Sequence, residues 1–92
     1  MAVNIYVGNL PYSYTSADLE RLFTEYGAVS SAQVIVDRET GRSRGFGFVE
    51  MDDARSAARA IDELHGSPVE GRRLTVNEAR PRRRRRVRSY ER

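Results

Sequence analysis

Hydrophobic and polar residues alternate along four segments of the chain, which is the pattern of strands with one buried face. In residues 3–8, for example, Val3, Ile5 and Val7 share one face and Tyr6 lies on the other. Between these segments, hydrophobic residues recur every three or four positions, as on one side of a helix. The predicted elements are strands at 3–8, 29–36, 44–51 and 72–79, a helix at about 16–26 and a second helix that ends before Gly66.

The residues that flank the helical segments are typical of helix ends. Thr15 takes the N-cap position of the first helix with Asp18 three residues later, the spacing of a capping box, and Gly27 is expected to end that helix. Asp52 or Asp53 is expected to cap the second helix. Core-facing side chains are expected on three of these elements. They are Ala54, Ala57, Ala58, Ile61 and Leu64 on the second helix, Ala32, Val34 and Val36 on the second strand, and Leu74 and Val76 on the fourth strand.

The segment from Arg44 to Met51 carries the main functional signal. One face of this strand holds only small or apolar residues, whereas the other holds Phe46 and Phe48 between Arg44 and Glu50. Burying an unpaired charge is costly, so the charged face is expected to meet water and to take both phenylalanines with it. Aromatic side chains on a wet sheet face are typical of a surface that stacks on flat ligands, and nucleobases are the expected ligand.

The order of elements is βαββαβ, which predicts an α+β fold. The expected architecture is a ferredoxin-like sandwich, in which a four-stranded antiparallel sheet carries two helices on one face. Right-handed crossovers place the first and third strands side by side at the centre of this sheet. Tyr6 is then expected beside Phe46 and Phe48 on the open face, where the three rings form one platform.

Composition argues against several classes of protein. The 92 residues suffice for one small domain with a single core. The chain has no cysteine and one histidine, so no disulfide, metal site or other cofactor is expected, and no catalytic constellation is present. No apolar run approaches the roughly 20 residues of a membrane span, and the N-terminus lacks the pattern of a signal peptide. We therefore expect a soluble cytoplasmic protein, or a nuclear one if the source is eukaryotic.

Arginine supplies all 16 basic residues and is concentrated at the C-terminus. Residues 1–79 hold eight arginines against twelve acids, a net charge of −4, whereas residues 80–92 hold eight arginines against one acid, a net charge of +7. Consecutive like charges repel one another and do not fold alone, but beside a phosphate chain each guanidinium can form bidentate contacts and release counterions. We predict a folded domain at 1–80 and a disordered arginine-rich tail at 81–92 that contacts nucleic acid rather than only solubilising the chain.

The motifs within residues 3–80 resemble those of the RNA recognition motif family. The family's octapeptide, basic-Gly-aromatic-Gly/Ala-Phe-Val-x-aromatic, is matched by residues 44–51 except at the last position, where Met51 replaces an aromatic residue. Residues 5–10, Ile-Tyr-Val-Gly-Asn-Leu, match the family's hexapeptide, and residues 71–79 are similar to its last strand. A single domain with a short tail resembles the small stand-alone bacterial members of the family.

The resemblance implies roles for individual residues. Tyr6, Phe46 and Phe48 are expected to stack on bases or ribose, and Arg44 is expected to pair with a phosphate. The other positions at which members of the family contact RNA vary in identity, and here they are Asn4, Gln33, Ile35, Asn77 and the backbone up to Arg80. The tail residues expected to contact RNA are Arg82, Arg83, Arg84, Arg85 and Arg86.

The expected function is therefore non-catalytic binding of single-stranded RNA by a monomer, in post-transcriptional regulation or RNA chaperoning. Two alternatives stay open. The sheet could be a protein-docking module, because sheets of this fold also receive peptides. As a milder alternative, it could hold single-stranded DNA, because stacking does not depend on the sugar.

Overall fold

Six strands and two helices make up the computed structural model, which describes residues 2–79. Strands β2, β3, β1 and β6 form one antiparallel sheet in that order, and β4 and β5 form a separate two-stranded ribbon. The bounds are β1 Val3–Gly8, α1 Ser16–Thr24, β2 Val29–Val36, β3 Ser43–Met51, α2 Ala54–Leu64, β4 Pro68–Val69, β5 Arg72–Arg73 and β6 Thr75–Glu78. The predicted ferredoxin-like α+β fold is confirmed, with β1 and β3 at the centre of the sheet.

The core lies between one face of this sheet and the two helices. On β3 the buried residues are Gly45, Gly47, Val49 and Met51, as the alternation predicts, and Met51 is completely buried. Helix α1 packs against β2 and β3, and α2 packs against β6, β1 and β3. The largest fully buried side chains are Phe23, Ile5, Leu10, Leu19, Met51, Leu74, Val7, Val49 and Val76. All core contacts of the sheet thus come from one face, which leaves the opposite face to solvent.

Both helices begin at the predicted caps. Thr15 Oγ1 accepts a hydrogen bond from the Asp18 N–H at 3.1 Å, and Asp18 Oδ2 accepts one from the Thr15 N–H at 3.0 Å, which completes a capping box. Asp53 caps α2 by accepting a hydrogen bond from the Ser56 N–H at 2.9 Å. These backbone hydrogen bonds are the main reason that the pKa of each aspartate carboxyl is lowered.

Gly27 does not end α1 in the way that its position suggests. The helix ends at Thr24, and Gly27 does not have a positive φ. A Cβ at Gly27 would instead lie 2.5 Å from Ser56 Oγ, so the glycine allows the end of α1 to approach the start of α2. Gly66, by contrast, has a φ of 81° directly after α2, as expected for a residue that ends a helix.

Three of the predicted core positions are wrong. Val36 is 51% exposed because the pairing of β2 with β3 is irregular at this point. Val34 is paired with Gly47 and Val36 with Ser43, so β3 has two more residues than β2 between these pairs. In α2 the buried residues are Ala57, Ala60 and Leu64, while Ala54 and Ala58 are exposed. Because alanine occupies four of the seven positions from 54 to 60, the apolar pattern alone does not fix which side of this helix faces the sheet.

The predicted fourth strand is divided in two. Arg72–Arg73 pairs with Pro68–Val69, and the two turn residues between them, Glu70 and Gly71, have φ values of 50° and 84°. Positive φ at both turn positions is typical of a type I′ hairpin turn. Only Thr75–Glu78 joins the main sheet, beside β1, and the predicted burial of Leu74 and Val76 is confirmed.

Side chains at the helix ends hydrogen-bond to both edge strands of the main sheet. The Val34 N–H of β2 donates to Ser16 Oγ, at the start of α1, at 2.9 Å. The Val76 N–H of β6 donates to His65 Nδ1, just after α2, at 3.0 Å. The sequence indicates only a helix-end residue at His65, so its link to the sheet is a feature that the sequence pattern does not predict.

Candidate nucleic-acid interface

One row of side chains crosses all four strands of the open sheet face. Gln33 is paired with Phe48, Phe48 with Tyr6, and Tyr6 with Asn77, so the order across the sheet is β2, β3, β1, β6. Gln33, Phe48 and Asn77 are exposed and Tyr6 is half-buried. Four of the residues predicted to contact RNA are therefore aligned in a single row, perpendicular to the strands.

Tyr6, Phe46 and Phe48 form a triangle of rings, which we call the aromatic platform. The ring centroids are 6.0 Å apart for Tyr6 and Phe46, 5.9 Å for Tyr6 and Phe48, and 6.1 Å for Phe46 and Phe48. The interplanar angles are 33°, 63° and 90°, in the same order. The predicted clustering is confirmed, but the rings do not share one plane, so each offers a separate surface for stacking.

Two glycines define the surroundings of this platform. A Cβ at Gly8 would lie 2.5 Å from Tyr6 Oη and 2.9 Å from Tyr6 Cε2, so the Tyr6 ring lies across Gly8. Gly8 is paired with Phe46, which explains why Tyr6 and Phe46 are close together. Gly47 lies on the opposite face of β3, where a Cβ would collide with the Gln33 carbonyl oxygen and lie 3.0 Å from Val34 Cα. The lack of a side chain at Gly8 thus allows the Tyr6 ring to lie over this residue, whereas the lack of one at Gly47 allows β3 to lie close to β2.

The remaining polar positions surround the aromatic platform. Asn4 is exposed and paired with Glu50 in the row next to the aromatic one, and its carbonyl oxygen accepts a hydrogen bond from the Ala79 N–H at 2.7 Å. Ile35 is half-buried. Thr75 was not among the predicted contacts, yet it is paired with Gly8 and shares a row with Phe46. The buried neighbours Leu74 and Val76 are the signal that could have identified it.

Arg44 lies at the end of the aromatic platform, next to Gly45, whose φ is 84°. Its side chain is exposed, and among residues 2–79 no carboxylate lies within salt-bridge distance of it. The guanidinium is therefore available for an external anion. Arg80 and the tail residues Arg82, Arg83, Arg84, Arg85 and Arg86 lie outside the described residues, so their predicted contacts and the predicted disorder of the tail stay predictions.

Within residues 2–79, no group of three or more histidine, aspartate or glutamate side chains is arranged to hold a metal ion. Across the same residues, neither helix has the length and apolar character needed to cross a membrane.

The fold, the two motifs and the aromatic row define a known class of domain. The model of the RNA recognition motif family matches residues 5–75, and the chain belongs to that family. Over 80 residues it is 55% identical to the putative RNA-binding protein RbpE of Nostoc sp., covering 87% of this chain and 81% of that protein. It is also 55% identical to the chloroplastic RNA-binding protein CP31B of Arabidopsis thaliana, covering 91% of this chain but only 29% of the plant protein.

Solved structures of RNA-binding proteins also match this chain in sequence and in fold. The RNA-binding protein PG1, known from a crystal structure, is 60% identical in sequence to this chain and superimposes on it with a TM-score of 0.84. The match covers 87% of this chain and 96% of PG1. The Sex-lethal protein in complex with RNA is 36% identical with a TM-score of 0.78, covering 83% of this chain and 47% of that one. Domains of this family bind single-stranded RNA, and membership therefore supports RNA binding here.

Proposed function

We propose that this protein binds single-stranded RNA across the open face of its sheet, with bases stacked on Tyr6, Phe46 and Phe48. The observation that carries the proposal is the triangle of three rings on a face that the core does not use. Burying aromatic side chains is favourable, so three rings clustered on an open sheet face are suited to a ligand with flat apolar faces. Unpaired bases supply such faces, whereas bases within a duplex are stacked on one another.

The charged and polar side chains extend the proposal beyond stacking. Arg44 pairs with a phosphate at one end of the aromatic platform, since a guanidinium forms bidentate hydrogen bonds with phosphate oxygens. Asn4, Gln33 and Asn77 contribute amide groups that can hydrogen-bond to base edges, and Ile35 contributes an apolar contact beside them. The negative charge of Glu50, paired with Asn4, disfavours a phosphate at that end of the face.

The tail supplies a second, less selective component. Its arginines neutralise phosphates without distinguishing one base from another, so they add affinity for any nucleic acid and make that affinity depend on salt. The sheet then provides the preference for single strands. Such a module has no catalytic role in this proposal, and a part in post-transcriptional regulation or RNA chaperoning follows from binding alone.

The test compares two double mutants with the wild type. Phe46→Ala with Phe48→Ala should weaken binding of a fluorescein-labelled, random-sequence RNA of about 12 nucleotides by about 3 kcal/mol, or roughly 150-fold. Phe46→Tyr with Phe48→Tyr keeps both ring faces and should bind nearly as well as the wild type. Fluorescence anisotropy measures the affinities, and thermal unfolding followed by circular dichroism shows whether each variant is folded.

Competitors separate the proposal from its alternatives. Duplex RNA of equal length should compete poorly in a variant that ends at residue 80, because removing the arginines removes the indiscriminate attraction. Competition by single-stranded, random-sequence DNA of equal length shows whether the affinity depends on the sugar. A folded alanine double mutant with wild-type affinity would contradict base stacking and favour the protein-docking alternative.

A further inference from the structure

A tyrosine outside the aromatic platform is exposed and yet held in place. Tyr12 follows β1 and is 67% exposed, the most exposed large hydrophobic residue in the described part of the chain. The Arg72 guanidinium lies over its ring, with Cζ 5.3 Å from the ring centroid. Because an arginine over an aromatic face is an attractive cation–π arrangement, the ring is restrained even though solvent reaches it.

Hydrogen bonds fix the arginine in turn. Arg72 Nη2 donates to Asn9 Oδ1 at 2.7 Å, and Arg72 Nε donates to the Asn9 carbonyl oxygen at 3.3 Å. Asn9 has a φ of 60°, a conformation that asparagine tolerates better than most residues, and its Nδ2 donates to the Arg73 carbonyl oxygen at 2.7 Å. These contacts link Tyr12 to the β4–β5 ribbon through Arg72, and Asn9 holds Arg72 in place. A side chain ordered in advance loses less conformational freedom when a ligand binds.

Gly45 places the ring beside β3. A Cβ at Gly45 would lie 3.3 Å from Tyr12 Cε1, so the ring edge comes against a residue that has no side chain. The Gly45 carbonyl oxygen accepts a hydrogen bond from the Leu10 N–H at 2.8 Å, which ties the loop before Tyr12 to this strand. Gly45 belongs to the buried side of β3, so this contact places Tyr12 at the end of β3 where Arg44 is located, and not on the face that carries Phe46 and Phe48.

Tyr12 also forms one wall of an open groove of about 690 Å³. The other wall comes from Asp37 and residues 40–44, which include Arg42 and Arg44. Asp37 lines the groove as well, but its Oδ1 accepts a hydrogen bond from the Glu39 N–H at 2.8 Å and its backbone bonds to Gly41 and Arg42, so it stabilises the loop. The lining of the groove does not include Arg72.

We propose that this groove holds one further nucleotide of the bound strand, with its base against Tyr12 and its phosphate between Arg42 and Arg44. The inference rests on the proposed function and deepens it: the strand leaves the aromatic platform past Arg44 and enters the groove. An aromatic ring beside two guanidinium groups matches the two components of a nucleotide, a flat base and an anionic phosphate. The groove volume lies within the range of small-molecule sites, which is suitable for one nucleotide.

Three substitutions of one residue test the inference on the full chain. Tyr12→Ala should weaken binding of the random-sequence RNA of about 12 nucleotides by about 5- to 150-fold, the effect of losing one stacked base. Tyr12→Phe keeps the ring and should bind like the wild type. Tyr12→Leu keeps apolar bulk without a ring, and it should be nearly as weak as Tyr12→Ala. As a measurement on the unmodified protein, RNA carrying 5-iodouridine is irradiated in the complex, and mass spectrometry of the peptides should find a cross-link at Tyr12.

The outcomes distinguish this inference from the proposed function. Wild-type affinity in Tyr12→Ala, or no cross-link at Tyr12 while the platform residues do cross-link, would overturn the groove and leave binding at the platform intact. An equal loss in Tyr12→Phe would overturn stacking on the ring. If the wild type binds no RNA, or if the Phe46→Ala, Phe48→Ala variant binds as well as the wild type, the proposed function itself is wrong.

Discussion

The same small substitution at two glycines should have opposite effects, because the glycines lie on opposite faces of the sheet. Gly47→Ala adds a methyl group on the core face, where it would collide with the Gln33 carbonyl oxygen and lie 3.0 Å from Val34 Cα and 3.1 Å from Leu19 Cδ2. Two of these neighbours are backbone atoms, which cannot turn aside as a side chain can. Gly8→Ala adds the same methyl group on the open face, where its three nearest neighbours are atoms of the Tyr6 side chain.

The structure sets the size of each effect. Overpacking costs about 1–3 kcal/mol, and replacing glycine in a strand returns about 0.5–1 kcal/mol, so Gly47→Ala should lower the free energy of unfolding by about 1 kcal/mol, and by at most about 2.5 kcal/mol. For a domain of this size, a loss of about 1 kcal/mol corresponds to a decrease in Tm of roughly 4–8 °C. Gly8→Ala should leave Tm nearly unchanged. Because it displaces the Tyr6 ring, it should weaken RNA binding by up to about 1–3 kcal/mol, the value of one base stack.

Thermal unfolding and fluorescence anisotropy measure the two quantities on both variants. A double-mutant cycle with Tyr6→Ala supplies the control: once the ring is absent, Gly8→Ala should have no further effect on RNA affinity. The reasoning fails if Gly8→Ala lowers Tm as much as Gly47→Ala does. It also fails if Gly8→Ala weakens binding equally with and without the Tyr6 ring.

Three further predictions concern the caps, the sheet edge and the tail. The pKa of the Asp53 carboxyl is lowered in the folded state, so the stability that this cap contributes is present above about pH 4 and is lost as the pH falls through the lowered pKa. Asparagine caps a helix without titrating. Asp53→Asn should therefore lose less stability than the wild type between about pH 5 and pH 2, as measured by denaturant titrations. His65→Ala leaves the Val76 N–H without its acceptor and should cost about 1–3 kcal/mol in denaturant unfolding, whereas His65→Asn offers an oxygen in its place and should cost less. Removing residues 81–92 should flatten the log–log dependence of RNA affinity on salt by about 0.7 for each phosphate that the tail neutralises in the full chain, and an unchanged slope would show that the tail does not touch the RNA.

Much of the fold could be predicted because its signals are local. The bounds of β1 and β2 match the alternation, and the Thr15–Asp18 capping box is visible as two residue types at one spacing. The aromatic platform needed one further rule, the right-handed crossover that places β1 beside β3. The roles of the platform residues in RNA binding are still predictions.

The parts that sequence reasoning missed depend on contacts between distant residues or on unusual backbone. The β4–β5 hairpin turns at Glu70, with a φ of 50°, whereas asparagine or glycine is the usual signal for such a turn. Tyr12 looks like an ordinary loop residue until Arg72, 60 positions later, is seen to lie over its ring. The exposure of Val36 follows from an irregular ladder that the alternation of β2 does not reveal.

The hydrogen bonds at the two edges of the sheet limit how a partner can approach this molecule. An unpaired strand edge is a template for another strand, and addition of a strand is one common way in which sheets capture peptides or copies of themselves. Here Ser16 occupies an outward N–H of β2 and His65 occupies one of β6, so an incoming strand must first displace a helix-end side chain on either flank. At these two positions the addition of a strand in the plane of the sheet is disfavoured, whereas neither hydrogen bond restricts access to the open face.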